Sequence, residues 1–319
     1  MTAKPAIAAI LLAAFGLARW PLEDAATRDF RHQRILPPQA GISLRQRLTQ
    51  NSYAGVLGGA RSLVASLQEL AAFVAWEDQD WGQVENKYRL ITDLQPTMAS
   101  YWDTGSWHLA YNAAGFYRYD WPGPKGQTNP LALQRVKMDL WTRYVRKGQD
   151  FLADGVRNNP DDWHLLAAAG RLWSDPMKLP DPAQAAESFR LAAAAPGAPA
   201  RMLRRFEAGA LSLVPGREDE AREKLQALYD EDPRNRTPNL VCTLFDFQLA
   251  AGVPEARRVP LAEIGPRPGR ALEELVDYAK ARRLRGRDIS RPLYEFIARM
   301  EAEAGVPPPQ RLPPPVQKP

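Results

Sequence analysis

The chain has 319 residues, 45% of them hydrophobic and 25% charged, with a formal net charge of +5. That is enough apolar material for a large core, and it excludes a wholly disordered chain. Thirteen Lys/Arg face nine Asp/Glu in residues 254–319, so four of the five net positive charges lie there and the rest of the chain is nearly balanced. Arg outnumbers Lys by 33 to 9, a compositional bias that leaves the high pI little weight as evidence about partners. The lone cysteine, Cys242, excludes an intrachain disulfide framework and a Cys-based zinc site. Its apolar surroundings, 240–245, make it a small buried hydrophobe.

Residues 1–22 carry a targeting signal. Within them 6–18 is an uncharged run of 13 apolar or small residues, short of the roughly 17–25 needed to span a bilayer. It suits a cleaved signal peptide, with Gly16 and Ala18 as small residues at the cleavage site, or an uncleaved signal-anchor with Trp20 at the interface and Arg19 snorkelling. Arg19 follows the run directly, so the anchor is preferred; an internal core helix is the third reading. The expected location is the bacterial inner membrane, with one N-terminal anchor and a periplasmic body. Arg19, Arg28, Arg31 and Arg34 outweigh Lys4 and oppose that orientation, whereas short N-terminal segments of this kind ordinarily direct export. Residues 23–54 are polar and read as a linker or short helices.

From 55 to 252 the chain reads as helical hairpins. Val84, Tyr88 and Ile91 recur at i, i+4, i+7 and stop at Pro96, one helix face closed by a proline. The same ruler gives Ala221, Leu225 and Leu228 before Pro233, with Gly209 as the small residue on the preceding helix. It also gives Ala185, Phe189 and Ala192 before Pro196-Gly197, with Gly170 and Trp173 on the preceding helix and a loop at 174–182 between the two. A fourth unit is enlarged: a helix over 99–117, an insertion at 119–130, and a long helix ending at Asn159-Pro160. Pro122, Gly123, Pro124 and Gly126 forbid a continuous helix through that insertion.

Two antiparallel helices per unit, small residues at the crossing and a terminating proline resemble the tetratricopeptide (TPR) repeat; another helical-hairpin array is the alternative. The segments 57–61, 93–96, 109–112 and 155–160 together resemble a group of uncharacterised membrane-anchored bacterial TPR proteins, over about 55–233. The pattern departs at Ala60, where an aromatic is more usual. The resemblance implies an all-α TPR-like solenoid and a membrane anchor, and brings no activity with it. Residues 253–305 are expected to form a helical cap, with helices near 269–284 and 289–304 covering the open face of the last hairpin. The tail 306–319, seven of whose fourteen residues are proline, is expected to be extended or disordered.

No phosphate loop, zinc-type His-Glu pair, nucleophile elbow or dinucleotide fingerprint occurs. His32, His108 and His164 lack ligand-like spacing, and Asp161-Asp162 beside His164 reads as helix capping rather than as a metal or acid/base site. No catalytic residue, metal, cofactor or small-molecule substrate is expected.

Eight of nine tryptophans fall between Trp76 and Trp173. Trp102 and Trp173 occupy core positions of the repeat. Trp102 and Trp107, five residues apart, point about 140° apart on an α-helix and cannot share one seam. A TPR groove is lined by the first helix of each unit, which here carries Trp76, Asp103, Trp107, Tyr111, His164 and Arg171. Aromatics with a few charges suit a protein-recognition surface. The expected function is a membrane-tethered TPR scaffold for protein–protein interactions in a bacterial envelope complex. The alternative is a lipid- or nucleic-acid-binding adaptor acting through the six basic residues of 280–291; no nucleic acid is expected under the leading reading.

Overall fold

A computed structural model describes residues 60–314, except 127 and 265–268. The expected anchor at 1–22, the linker at 23–54 and the last residues of the tail lie outside the described residues. Among those described there are eleven α-helices and no strand, so the all-α expectation holds. No described helix is long and apolar enough to cross a membrane.

The described residues divide into two compact units, one up to Tyr101 and one from Trp102 onward. In the first, α1 (Arg61–Glu77) packs on α2 (Trp81–Leu94). Gln79 closes the turn between them at φ 58°, the left-handed conformation that a reversal this tight demands. Asp80 then caps α2 by accepting from the Gln83 amide at 3.0 Å. Val84, Tyr88 and Ile91 are buried as their spacing requires.

The second unit opens within α3 (Ala99–Trp107), then α4 (Pro130–Asn158), α5 (Trp163–Ser174), α6 (Pro182–Ala194), α7 (Ala200–Leu211), α8 (Glu218–Glu231) and α9 (Pro238–Ala250) follow. Each packs mainly on its neighbours in the chain. The starts of α4 and α6 share one device: Asn129 and Asp181 accept from the first free amides while Pro130 and Pro182 occupy the first turn, where no N–H is needed. Helices α2, α4, α6 and α8 end just before Pro96, Pro160, Pro196 and Pro233, which lack the donor needed to continue.

Close approaches explain three helical glycines of this unit. A Cβ on Gly155 would stand 2.6 Å from the Trp102 Cβ, and one on Gly148 would stand 2.8 Å from the Ala110 backbone nitrogen. Gly170 likewise faces the Phe189 ring at 2.6 Å. Gly209 differs from expectation. Its nearest neighbour is an Asn239 side-chain nitrogen at 3.9 Å, while the adjacent Ala208 is fully buried in the core.

The helix expected over 99–117 also differs. It is α-helical only to Trp107 and winds as π-helix over His108–Ala113 and Phe116–Asp120. Helices α10 (Ala271–Leu284) and α11 (Arg291–Glu303) both pack on α9. The disordered tail is corrected for residues up to 314. Leu312 is 4% exposed within the main core, and its amide donates to Glu301 Oε1 at 2.9 Å. Burying one leucine and pairing its amide hold the proline-rich chain against the cap.

Candidate interaction surface

Trp102 is 7% exposed and meets the Phe151 ring at 5.0 Å, whereas Trp107 is 49% exposed. The two tryptophans therefore separate as helical geometry requires: one is core, the other surface. Asp103, four residues before Trp107, is exposed as well. Beyond Trp107 the π-helical turns change the register. Tyr111 is half-buried rather than open. Its hydroxyl donates to Asp175 Oδ2 at 3.2 Å, and Lys178 Nζ lies 4.4 Å from its ring centre.

Both partners come from the loop between α5 and α6, which is tied down by backbone and side-chain bonds. The Met177 amide donates to Asp175 Oδ1, and Gln149 on α4 donates to the Leu179 carbonyl. Burial, with the Asp175 carboxylate beside it, pushes the Tyr111 hydroxyl up to about 12. The phenol stays a neutral donor. Burial lowers Lys178 from its ordinary value, Asp175 opposes this, and Arg118 adds to it.

Arg171 on α5 is the positive neighbour of both Asp103 and Tyr111. Partial burial raises Asp103 above the ordinary carboxylate value; Arg171 counters this and Asp162 reinforces it. The structure thus brings Asp103, Tyr111 and Arg171 together, and adds Asp162, Asp175 and Lys178. Those three have no repeat-position signal in the sequence, since the loop that delivers two of them is placed by tertiary contacts. His164 stands at the edge: it stacks on Trp163 with ring centres 3.6 Å apart, and its Nδ1 is 3.8 Å from Asp162 Oδ1. Asp162 itself caps α5 through the Leu165 amide at 2.9 Å, the capping role expected of that position. Trp76 belongs to the N-terminal unit, where it stacks on Phe73 at 5.6 Å.

Most of the remaining aromatics of the segment are packed, Tyr119 at 65% exposed being the exception. Tyr117 stacks on Tyr144 at 5.1 Å and meets Trp121 edge-on, while the Arg118 guanidinium covers Trp141 at 5.0 Å. Burial also depresses His108, whose Nδ1 lies 3.1 Å from the Asn112 amide nitrogen. Cys242 is 1% exposed, and burial with Glu274 and Asp246 nearby pushes its thiol up to about 12.

The basic segment 280–291 is largely paired with nearby groups, Arg282 in the core and the others at the surface. Arg282 is buried and donates to Ser212 Oγ and to its carbonyl. Lys280, Arg283, Arg287 and Arg291 pair with Asp277, Asp288, Glu218 and Glu295 at 3.7, 3.0, 3.1 and 2.8 Å. Among the described residues only Arg285 of the six has no such partner. No family model matches the chain, and no curated protein matches it significantly.

Proposed function

We propose that the protein is a non-catalytic scaffold of TPR type, tethered by its N-terminal apolar segment to the bacterial inner membrane. On this reading it recruits a protein partner of an envelope complex through the surface around Trp107. The repeat reading is supported by proline-terminated helices that pack in chain order, with small residues at their crossings. The observation that carries the binding reading is Trp107, a half-exposed indole on the same helix as the exposed Asp103. Tyr111, Asp103 and Arg171 supply neighbouring polar groups, and the α5–α6 loop holds the Tyr111 hydroxyl through Asp175. A preorganised aromatic with fixed polar neighbours gives contact area at low entropic cost.

Crosslinking and pull-down from native membranes, comparing the full chain with its Trp107→Ala form, tests this. Truncating a hot-spot aromatic removes about 2 kcal/mol of binding, roughly thirtyfold in Kd, so the partner should be lost while the melting temperature stays nearly unchanged. Trp102→Ala is the control for burial, with an expected stability loss of about 3–5 kcal/mol. If Trp107→Ala melts as early as Trp102→Ala, or retains the partner in full, the surface is misassigned.

A further inference from the structure

Helix α1 is apolar on two sides. Val64, Ala65 and Ala72 form its buried side. Far round the helix, Leu63, Leu67, Leu70 and Val74 are 60, 54, 66 and 55% exposed, with Phe73 beside them at 55%. An apolar helix side is ordinarily covered, and no described residue covers this second one. The spacing of the stripe is informative. Steps of 4, 3 and 4 place the four side chains at alternating d and a positions of a heptad, the seam by which one helix packs along another. The flanking positions toward that seam, Ser66, Ala71 and Phe73, carry no charge.

We propose that this stripe is a self-association surface, paired about a two-fold axis with α1 of a second copy of the chain. An isologous contact needs a surface complementary to itself, and the stripe satisfies this. An antiparallel pair sets Leu63 against Val74 and Leu67 against Leu70, twice over, and opposes the two helix dipoles. No like charges meet in the seam. The area is sufficient. Five large side chains more than half exposed present on the order of 500 Å², and two such faces remove about 1,000 Å², the lower bound for a specific interface. Residues 44–55, which precede α1, offer a poorer match. Leu44 and Leu48 begin a 4-residue step, but Asn51 and Gly55 occupy the next two seam positions. An anionic lipid surface is also a poor fit, because the only cation on α1 is Arg61 while Glu69 and Glu77 are acidic.

Native mass spectrometry of the full chain released from detergent tests the proposal, alongside the double variant Leu67→Asp/Leu70→Asp. The expected result is twice the chain mass of 35.7 kDa for the wild type and the single mass for the variant, which stays folded with a melting temperature independent of chain concentration, whereas that of the wild type rises with concentration. A wild-type monomer overturns the proposal, and so does a dimer that survives the double substitution. If the wild type is monomeric and the variant melts earlier, the chain's own N-terminal segment covers the stripe instead. Trp107→Ala should stay dimeric, so failure of this inference and failure of the scaffold reading are separately visible.

Discussion

Asp246 shows how one residue can matter to the fold without any motif announcing it. It is a carboxylate 1% exposed, and it accepts from the Tyr278 hydroxyl and the Ser290 amide, both at 3.1 Å. Burial raises its pKa above the ordinary carboxylate value, while Ser290, Arg282 and Tyr278 pull it back. Asp246→Ala would leave a buried hydroxyl and a buried amide without their acceptor, so a stability loss of about 2–4 kcal/mol is expected in denaturant titration. Asp246→Asn keeps an acceptor and removes the buried charge, so its loss should be much smaller. The pH dependence carries a sign. A folded-state pKa raised above the unfolded value of about 3.9 means that the protonated form favours folding. Relative to Asp246→Asn, the wild type should be most stable below about pH 4 and lose that advantage as pH rises through the raised value. A difference that grows in the opposite direction would mean that the ion pairing outweighs burial. Little of this was legible beforehand, because an aspartate inside 240–250 looks the same whether it faces water or Tyr278.

At the scale of the element, glycine separates two kinds of helix crossing. Gly155 meets Trp102 at the Cβ, an atom that cannot move without its backbone. Gly155→Ala is therefore expected to destabilise by about 1–3 kcal/mol despite better helix propensity. A Cβ on Gly209 would meet only the Asn239 side chain, at an ordinary contact distance of 3.9 Å, and Gly209→Ala should instead stabilise by about 0.5–1 kcal/mol. Thermal melts of the pair decide whether the small-residue rule applies at both positions. The sequence ruler treated Gly170 and Gly209 alike, and only the packing distinguishes them. The π-helical turns are a related case. Periodicity in 99–117 fits a helix, but the extra residue per turn from His108 onward changes which side chains share a face. Asp103 and Trp107 keep their exposed face because they precede that change. Tyr111, which follows it, turns toward Asp175 and Lys178.

For the whole molecule, the C-terminal tail is the clearest test. Leu312 sits in the core that runs from Leu166 on α5 through the cap helices. Leu312→Ala should lower stability by about 2–4 kcal/mol, visible as an earlier denaturation midpoint. A tail that is loose chain would give no change. Arg283 belongs to the same arrangement: it reaches the Pro313 carbonyl at 2.7 Å as well as Asp288, and this helps to explain why the basic segment presents so little free charge. Net charge is additive along a sequence, whereas the field at a surface depends on which charges the fold pairs.

The sequence by itself determined the helical class, the proline-terminated ends of α2, α4, α6 and α8, the capping role of Asp162, and the buried sets on α2, α6 and α8. These follow from local rules: side-chain period, a missing N–H donor, and a short oxygen acceptor placed beside free amides. The opposite fates of Trp102 and Trp107 were also legible, because five residues fix an angle on any α-helix. Tertiary structure alone decided that the α5–α6 loop engages Tyr111, that Gly209 meets no close neighbour while Ala208 is buried, that Leu312 is core, and that one apolar side of α1 is left open. Each of these depends on what a distant segment places within a few ångströms, and neither composition nor periodicity contains that distance.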